Sequence, residues 1–260
     1  WQDTIQPTTH DAYTHGAVLQ KHYEGLHENN PHLFPLFNGQ GALHVLSWVF
    51  LKVFGTSIAT LLVWAPVLVT GLIVVPYILM GRLLGATIWG FGTALLACVC
   101  WNFYERTMAG YFDTDIFSFG MIVLVLYLLM AAHQKRSLPA ACLASLVIFI
   151  YPFFYAKGLV VGASLAICFL GLQLILVWAR READVRLRMI AVVAIGIAVS
   201  QWSRGGTLGA SPWLWFIGLS LVLAVTVLAV RLPARDPIAE GPGRKVTLLA
   251  AACLLGIVLV

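Results

Sequence analysis

RTMAGYFDTDIFSFGMIVLVLYLLMAA, residues 106–132, sets two chemistries side by side. Its first part holds Arg106, Asp113 and Asp115, and from Ile116 to Ala132 there is no charge at all. A chargeless apolar run of this kind reads as a membrane-spanning helix, since about 20 such residues cross the hydrocarbon core. A carboxylate at the centre of a spanning helix costs roughly 2.5–3.5 kcal/mol on insertion scales. Two aspartates at the rim of the run therefore need something that offsets their charge. With one residue between them, on turn or extended backbone, both can approach one cation, and hard ions such as Mg2+, Mn2+ or Ca2+ prefer carboxylate oxygen. Arg106 can neutralise part of what remains. The competing reading is a solvated pair at a helix N-terminus, favoured by the helix dipole. The spacing alone does not choose between them.

The rest of the chain agrees with a membrane setting. Its 260 residues are 60% hydrophobic and 10% charged, with a mean hydropathy of +0.90. Soluble domains are about 45–50% apolar and about 25% charged, so one water-soluble core cannot hide this much apolar surface. The expectation is an all-α, polytopic transmembrane bundle. Residues 1–57 read as an external loop with surface helices, and residues 58–260 as a bundle of about eight helices, cut at both ends. In the loop, residues 12–27 and 42–54 have helical spacing, with Thr9 as N-cap and Asp11 in the first turn, where a helix dipole favours an anion. Asn29-Asn30-Pro31 is expected to stop the first helix. Both suit a membrane surface. Spans are expected at 57–80, 83–101, 116–132, 138–156, 158–178, 189–201, 213–230 and 246–260.

Charge orients these spans. One alternate set of loops carries Arg82, Lys135, Arg136, Arg180, Arg181, Arg186, Arg188, Arg231, Arg235, Arg244 and Lys245. The other carries Lys21, Lys52, Arg106, Lys157 and Arg204. The positive-inside rule makes the richer set cytoplasmic. Asp11, Asp113 and Asp115 then share the outer side, as a common site requires. The net charge of +5 is explained by this loop distribution and does not indicate a nucleic-acid partner. Cys98, Cys100, Cys142, Cys168 and Cys253 all sit in apolar runs and show neither metal nor disulfide spacing, so they read as small buried hydrophobes.

Six histidines crowd the first 44 residues: His10, His15, His22, His27, His32 and His44. Their spacing fits no compact zinc motif, and surface or interfacial positions are the better expectation. Lys157 is either a snorkelling lysine or a cation facing a phosphate. Arg204, in QWSRGGTLGASPW, is either an anion contact or an interfacial residue beside Trp202 and Trp213.

Taken together, HDAYTHGAVLQKHYEGLHENNP, ERTMAGYFDTDIF and IYPFFY resemble the catalytic subunits of asparagine-linked oligosaccharyltransferases, nearest to the single-subunit bacterial branch. The motifs cover about residues 5–160, and beyond that only the spacing of apolar spans supports the resemblance. It implies the membrane-glycosyltransferase architecture called GT-C and transfer of a glycan from a polyprenyl-diphosphate lipid to the Asn amide of an Asn-x-Ser/Thr acceptor, with Mg2+ or Mn2+. It also implies that Asp11, Asp113 and Asp115 are catalytic metal ligands and that Arg106 holds the carboxylates. By the same resemblance Tyr151 lies beside the lipid-linked donor. Lys157 and Arg204 are candidate donor contacts. The expected setting is a bacterial inner membrane with the site facing the periplasm. A preceding helix, a later catalytic glutamate and a soluble acceptor-reading domain are expected outside residues 1–260, which would then be inactive alone. The alternatives are a GT-C enzyme using a polyprenyl-phosphate sugar and an ion-coupled transporter, the latter disfavoured by the lack of an internal repeat.

Overall fold

The computed structural model describes residues 10–23, 41–155, 157–178 and 183–204. The expected N-cap at Thr9, the stop at 29–31, Cys253 and the spans at 213–230 and 246–260 lie outside the described residues, as do the side chains of His10, His22 and Arg204. The fold is all-α, a membrane helical bundle. Ten helices are described: α1 His10–Tyr23, α2 Gly41–Phe54, α3 Ile58–Gly71, α4 Val74–Leu83, α5 Thr87–Val99, α6 Trp101–Glu105, α7 Asp115–Lys135, α8 Leu138–Phe154, α9 Gly158–Trp178 and α10 Ala183–Arg204.

Three stretches among the described residues are long and apolar enough to cross a bilayer: Ile58–Leu83, Asp115–Lys135 and Gly158–Trp178. α5 and α8 are apolar but shorter. Large apolar side chains such as Ile88, Trp89 and Trp178 point out of the protein, with Trp178 80% exposed. That is the expected arrangement where lipid, not water, is the solvent. It also corrects one expectation, because Cys100 and Cys168 are exposed in the same manner while Cys142 is buried. A thiol is apolar enough to face hydrocarbon and need not be packed inside.

The expected span at 57–80 falls within the apolar stretch Ile58–Leu83, which a turn divides into two helices. Ser57 starts α3 with extended backbone, and its hydroxyl accepts the Thr60 N–H at 3.1 Å, an N-cap that satisfies an orphan donor. Pro66 inside α3 lacks an N–H, and Thr70 Oγ1 donates to the Pro66 carbonyl at 2.5 Å. The chain turns at Leu72 and Ile73 before α4. Next, α4 and α5 form a hairpin closed by Gly85 at φ 73°, a left-handed conformation suited to glycine. A Cβ on Gly81 would lie 2.7 Å from the Gly90 Cα, so the two backbones touch directly.

Two compact units are present: residues 1–123 with 153–156, and residues 124–152 with 157–260. In the first, Ala12 and Leu19 of α1, Leu43 and Leu51 of α2, Leu61 and Leu62 of α3, and Phe112 and Ile116 share one core. Gly16 makes this possible, since a Cβ there would sit 2.8 Å from Leu62 Cδ1. The loop helices are thereby packed on the start of α3 and on the acidic loop. In the second unit, α8, α9 and α10 share a core with Val125, Leu128, Leu129 and Ala132 of α7. Ser145 donates to the Val192 carbonyl at 2.9 Å, and Arg186 donates to Gln173 Oε1 at 2.7 Å. Gln173 Nε2 donates in turn to His133 Nδ1 at 3.1 Å.

Candidate functional site

The loop between α6 and α7 is held at several points. Thr107 donates to the Phe103 carbonyl at 2.7 Å. Gly110, at φ 86°, sends its N–H to the Val63 carbonyl of α3 at 3.1 Å. Only glycine takes that φ without steric cost. Two residues on, Phe112 is buried in the core shared with α1, α2 and α3. This anchor places Tyr111 and Asp113, its neighbours, at the edge of that core.

Asp113 accepts the Thr114 N–H at 2.5 Å and the Thr114 hydroxyl at 3.2 Å, both on Oδ1. His15 Nε2 of α1 stands 3.5 Å from the same oxygen. Burial pushes the Asp113 carboxyl up, but the hydrogen bonds from His15 and from Thr114 outweigh it and hold it below the usual carboxylate range. The charged form is thus favoured by donors aimed at it. Asp115 opens α7, where an anion meets the positive end of the helix dipole. Although Asp115 is only 8% exposed, the Arg106 guanidinium donates to its Oδ2. Hydrogen bonding and charge from Asp115 push the guanidinium up in turn. Arg106 itself is largely exposed, its side chain 53% open.

Asp11 lies exposed in the first turn of α1. It sits one helical turn before His15, so both share a face. Burial pushes the Tyr111 phenol up, Arg106 works the other way, and the charges of Asp113, Asp115 and Asp11 add to the rise. Those charges are the smaller contributions, with burial the largest.

Among the described residues, no three His, Cys, Asp or Glu side chains are grouped so that they could hold a metal ion. The carboxylates fit a hard divalent ion in kind, since such an ion takes one or two carboxylates and fills the rest of its shell with water and substrate oxygens. Tyr151, Lys157 and Arg204 belong to the second unit. Tyr151 is fully buried and packs against Gly158, where a Cβ would meet its Cγ at 2.9 Å. Lys157 is exposed, and Arg204 closes α10.

Sequence reasoning passed over His15 and His44 as site residues. His44 is buried and His15 partly so, which corrects the expectation of surface positions. The available signal was the four-residue step from Asp11 to His15. Nothing in the sequence pointed to the pairing of His15 with His44, 29 residues away.

Comparison with known proteins extends the resemblance past residue 160. Two undecaprenyl-diphosphooligosaccharide–protein glycotransferases, from Campylobacter jejuni subsp. jejuni serotype O:2 and from Campylobacter jejuni strain RM1221, are each 26% identical to it over 195 residues. The match covers 74% of this chain and 26% of each relative, so the chain spans about a quarter of their length. Residues 36–230 match the family model described as oligosaccharyl transferase STT3, N-terminal, which takes in the acidic loop and α7 to α10, and on that match the chain belongs to this family.

Proposed function

We propose that this chain supplies the acidic part of an oligosaccharyltransferase site, which moves a glycan from a polyprenyl-diphosphate lipid to the side-chain amide of Asn in Asn-x-Ser/Thr acceptors. The observation that carries the reading is the meeting of α1 with the acidic loop, His15 to Asp113, in a chain of the oligosaccharyl transferase family. Asp11, exposed and one helical turn before His15, is proposed to join Asp113 and Asp115 in the same site.

The chemistry asks for such a cluster. An amide nitrogen is a poor nucleophile because its lone pair is delocalised into the carbonyl. Carboxylates that accept its N–H bonds, Asp11 and Asp113 in this reading, polarise it and fix its orientation. Asp113 is suited to this as its own donors keep it ionised. Arg106 keeps Asp115 in place and limits repulsion among the three anions. Tyr151, Lys157 and Arg204 are proposed as contacts of the lipid-linked donor. Mg2+ or Mn2+ is proposed as the ion, with Asp11, Asp113 and Asp115 as the ligands it would take from this chain. When bound, it would stabilise the negative charge of the departing diphosphate. The protein is integral to the membrane, and the proposed setting is a bacterial inner membrane with the site on the periplasmic side.

The activity is assigned to a polypeptide of the relatives' length, with residues 1–260 inactive alone. The test mixes purified full-length protein with a lipid-diphosphate oligosaccharide and an Asn-x-Ser peptide. Glycopeptide is expected in the presence of Mg2+ or Mn2+, and none with a chelator. Transfer from a monophosphate donor alone would move the assignment to a different glycosyltransferase class.

A further inference from the structure

A short polar chain runs from the acidic loop into the core of the first unit. His15 Nε2 faces Asp113 Oδ1 at 3.5 Å, and His15 Nδ1 lies 2.8 Å from His44 Nε2 of α2. The rings of His15 and His44 are 4.9 Å apart, and the Phe112 ring stands edge-on to His15 at 5.9 Å. Three separate pieces of chain, α1, α2 and the loop 106–114, therefore meet at His15. Around them the core is apolar: Ala12, Leu19, Leu43, Leu51 and Leu62. Placing imidazoles in such a seam costs desolvation that a leucine would not incur, and packing alone does not call for it. A polar insertion aimed at one carboxylate does.

The geometry points to His15 as a positioning residue that fixes the Asp113 carboxylate and locks helix α1, with Asp11, to the acidic loop, while His44 sets the His15 ring. Its catalytic consequence rests on the glycosyl-transfer reading above. An arrangement in which His44 Nε2–H donates to His15 Nδ1 leaves the His15 Nε2–H directed at Asp113, so one ring nitrogen is assigned by the other's partner. Together with the two bonds from Thr114, three donors converge on Oδ1. Rotation of the carboxylate about its last torsion is then fixed, and so is the direction its second oxygen offers to a substrate. The distance of 3.5 Å is long for a hydrogen bond, and such contacts tighten when the reacting complex forms.

The test uses full-length protein carrying His15→Phe or His15→Gln. Phenylalanine keeps the ring volume without a donor, and glutamine carries an amide N–H near the position of Nε2. His15→Phe is expected to lower kcat by about 10–100-fold, in the range of general positioning effects, with acceptor KM within about twofold. His15→Gln is expected to recover most of kcat. Equal kcat in wild type and His15→Phe overturns the proposal, and so does an equal loss in both variants accompanied by a common drop in melting temperature. Amide hydrogen exchange decides the structural half without any turnover: His15→Phe should speed exchange in residues 10–23 and at Thr114, and His15→Gln should not. If the wild type transfers no glycan, the functional reading fails, while unchanged exchange in His15→Phe would sink the coupling itself.

Discussion

Among the described residues each unit carries a polar cluster beside its apolar core, and these two clusters are built differently. In the second unit Gln173 is fully buried and Arg186 is 6% exposed. Their bonds run between helices, from α10 to α9 and from α9 to α7. In the first unit the cluster is open at its rim, with Asp11 and Arg106 exposed, Asp113 half-buried and His44 enclosed behind it. The closed cluster reads as one that positions helices, with Gln173 and Arg186 buried and His133 partly so. Its bonds replace those that water would make, and deep among apolar helices such groups act as register marks. The graded cluster does something else. Its inner members, His44 and Phe112, fix geometry, while its outer members keep charge where a ligand can meet it.

This contrast can be broken by mutation. The largest effect is expected at the open cluster. Asp113→Asn should reduce glycan transfer by about 100–1000-fold, the usual loss when a group that stabilises transition-state charge is neutralised. Its melting temperature in detergent should stay close to that of the wild type. An Asp113→Asn protein with near-normal transfer would remove the chemical role from this loop.

The sealed cluster should answer in the opposite way. Gln173→Leu removes one hydrogen bond to Arg186 and one to His133, and should cost about 1–3 kcal/mol of stability. Activity per folded molecule should hold within about threefold. A thermal melt and a specific-activity measurement on the same preparation separate the two outcomes, and a selective loss of activity would contradict the division drawn here.

Smaller still is the expected stability effect of Arg106→Gln. Arg106 is half open to solvent although Asp115 is buried, and a pair with one exposed, screened partner contributes about 0–1 kcal/mol. Denaturation should hardly shift, whereas transfer should fall by about tenfold as Asp115 loses its partner. The smallest effect concerns pH. Asp113 in the folded protein sits below its ordinary value of about 3.9, so it contributes stability that is fully present above about pH 4. That contribution fades only as pH falls through the lowered value. Between pH 8 and 5 the melting temperatures of wild type and Asp113→Asn should therefore run parallel, and below pH 4 they should converge.

Much of the fold was legible because spanning helices are marked by the absence of charge. The runs ending at Lys135 and Trp178 were recognisable from their apolar length and their basic flanks, and residues 42–54 were read within a residue of α2. The break between α3 and α4 was missed since Gly71, Leu72 and Ile73 are as apolar as their neighbours and leave no mark in hydropathy. In the first loop, α1 was read as reaching residue 27 and is described to Tyr23. Of the site, Asp113, Asp115 and Arg106 were visible because ionic groups stand out beside seventeen uncharged residues, 116–132. His15 and His44 were visible only as members of a crowd.

Composition and charge order along the chain were enough to decide that this is a helical membrane protein, and where carboxylates stand at the edge of an apolar span. These are one-dimensional properties, set by the cost of moving each segment from water into lipid. Which histidine meets which aspartate was decided in three dimensions, by the close approach that Gly16 allows between α1 and α3 and by the burial of Phe112 between them. Such contacts join residues about a hundred positions apart, and their energy depends on shapes that no local pattern carries.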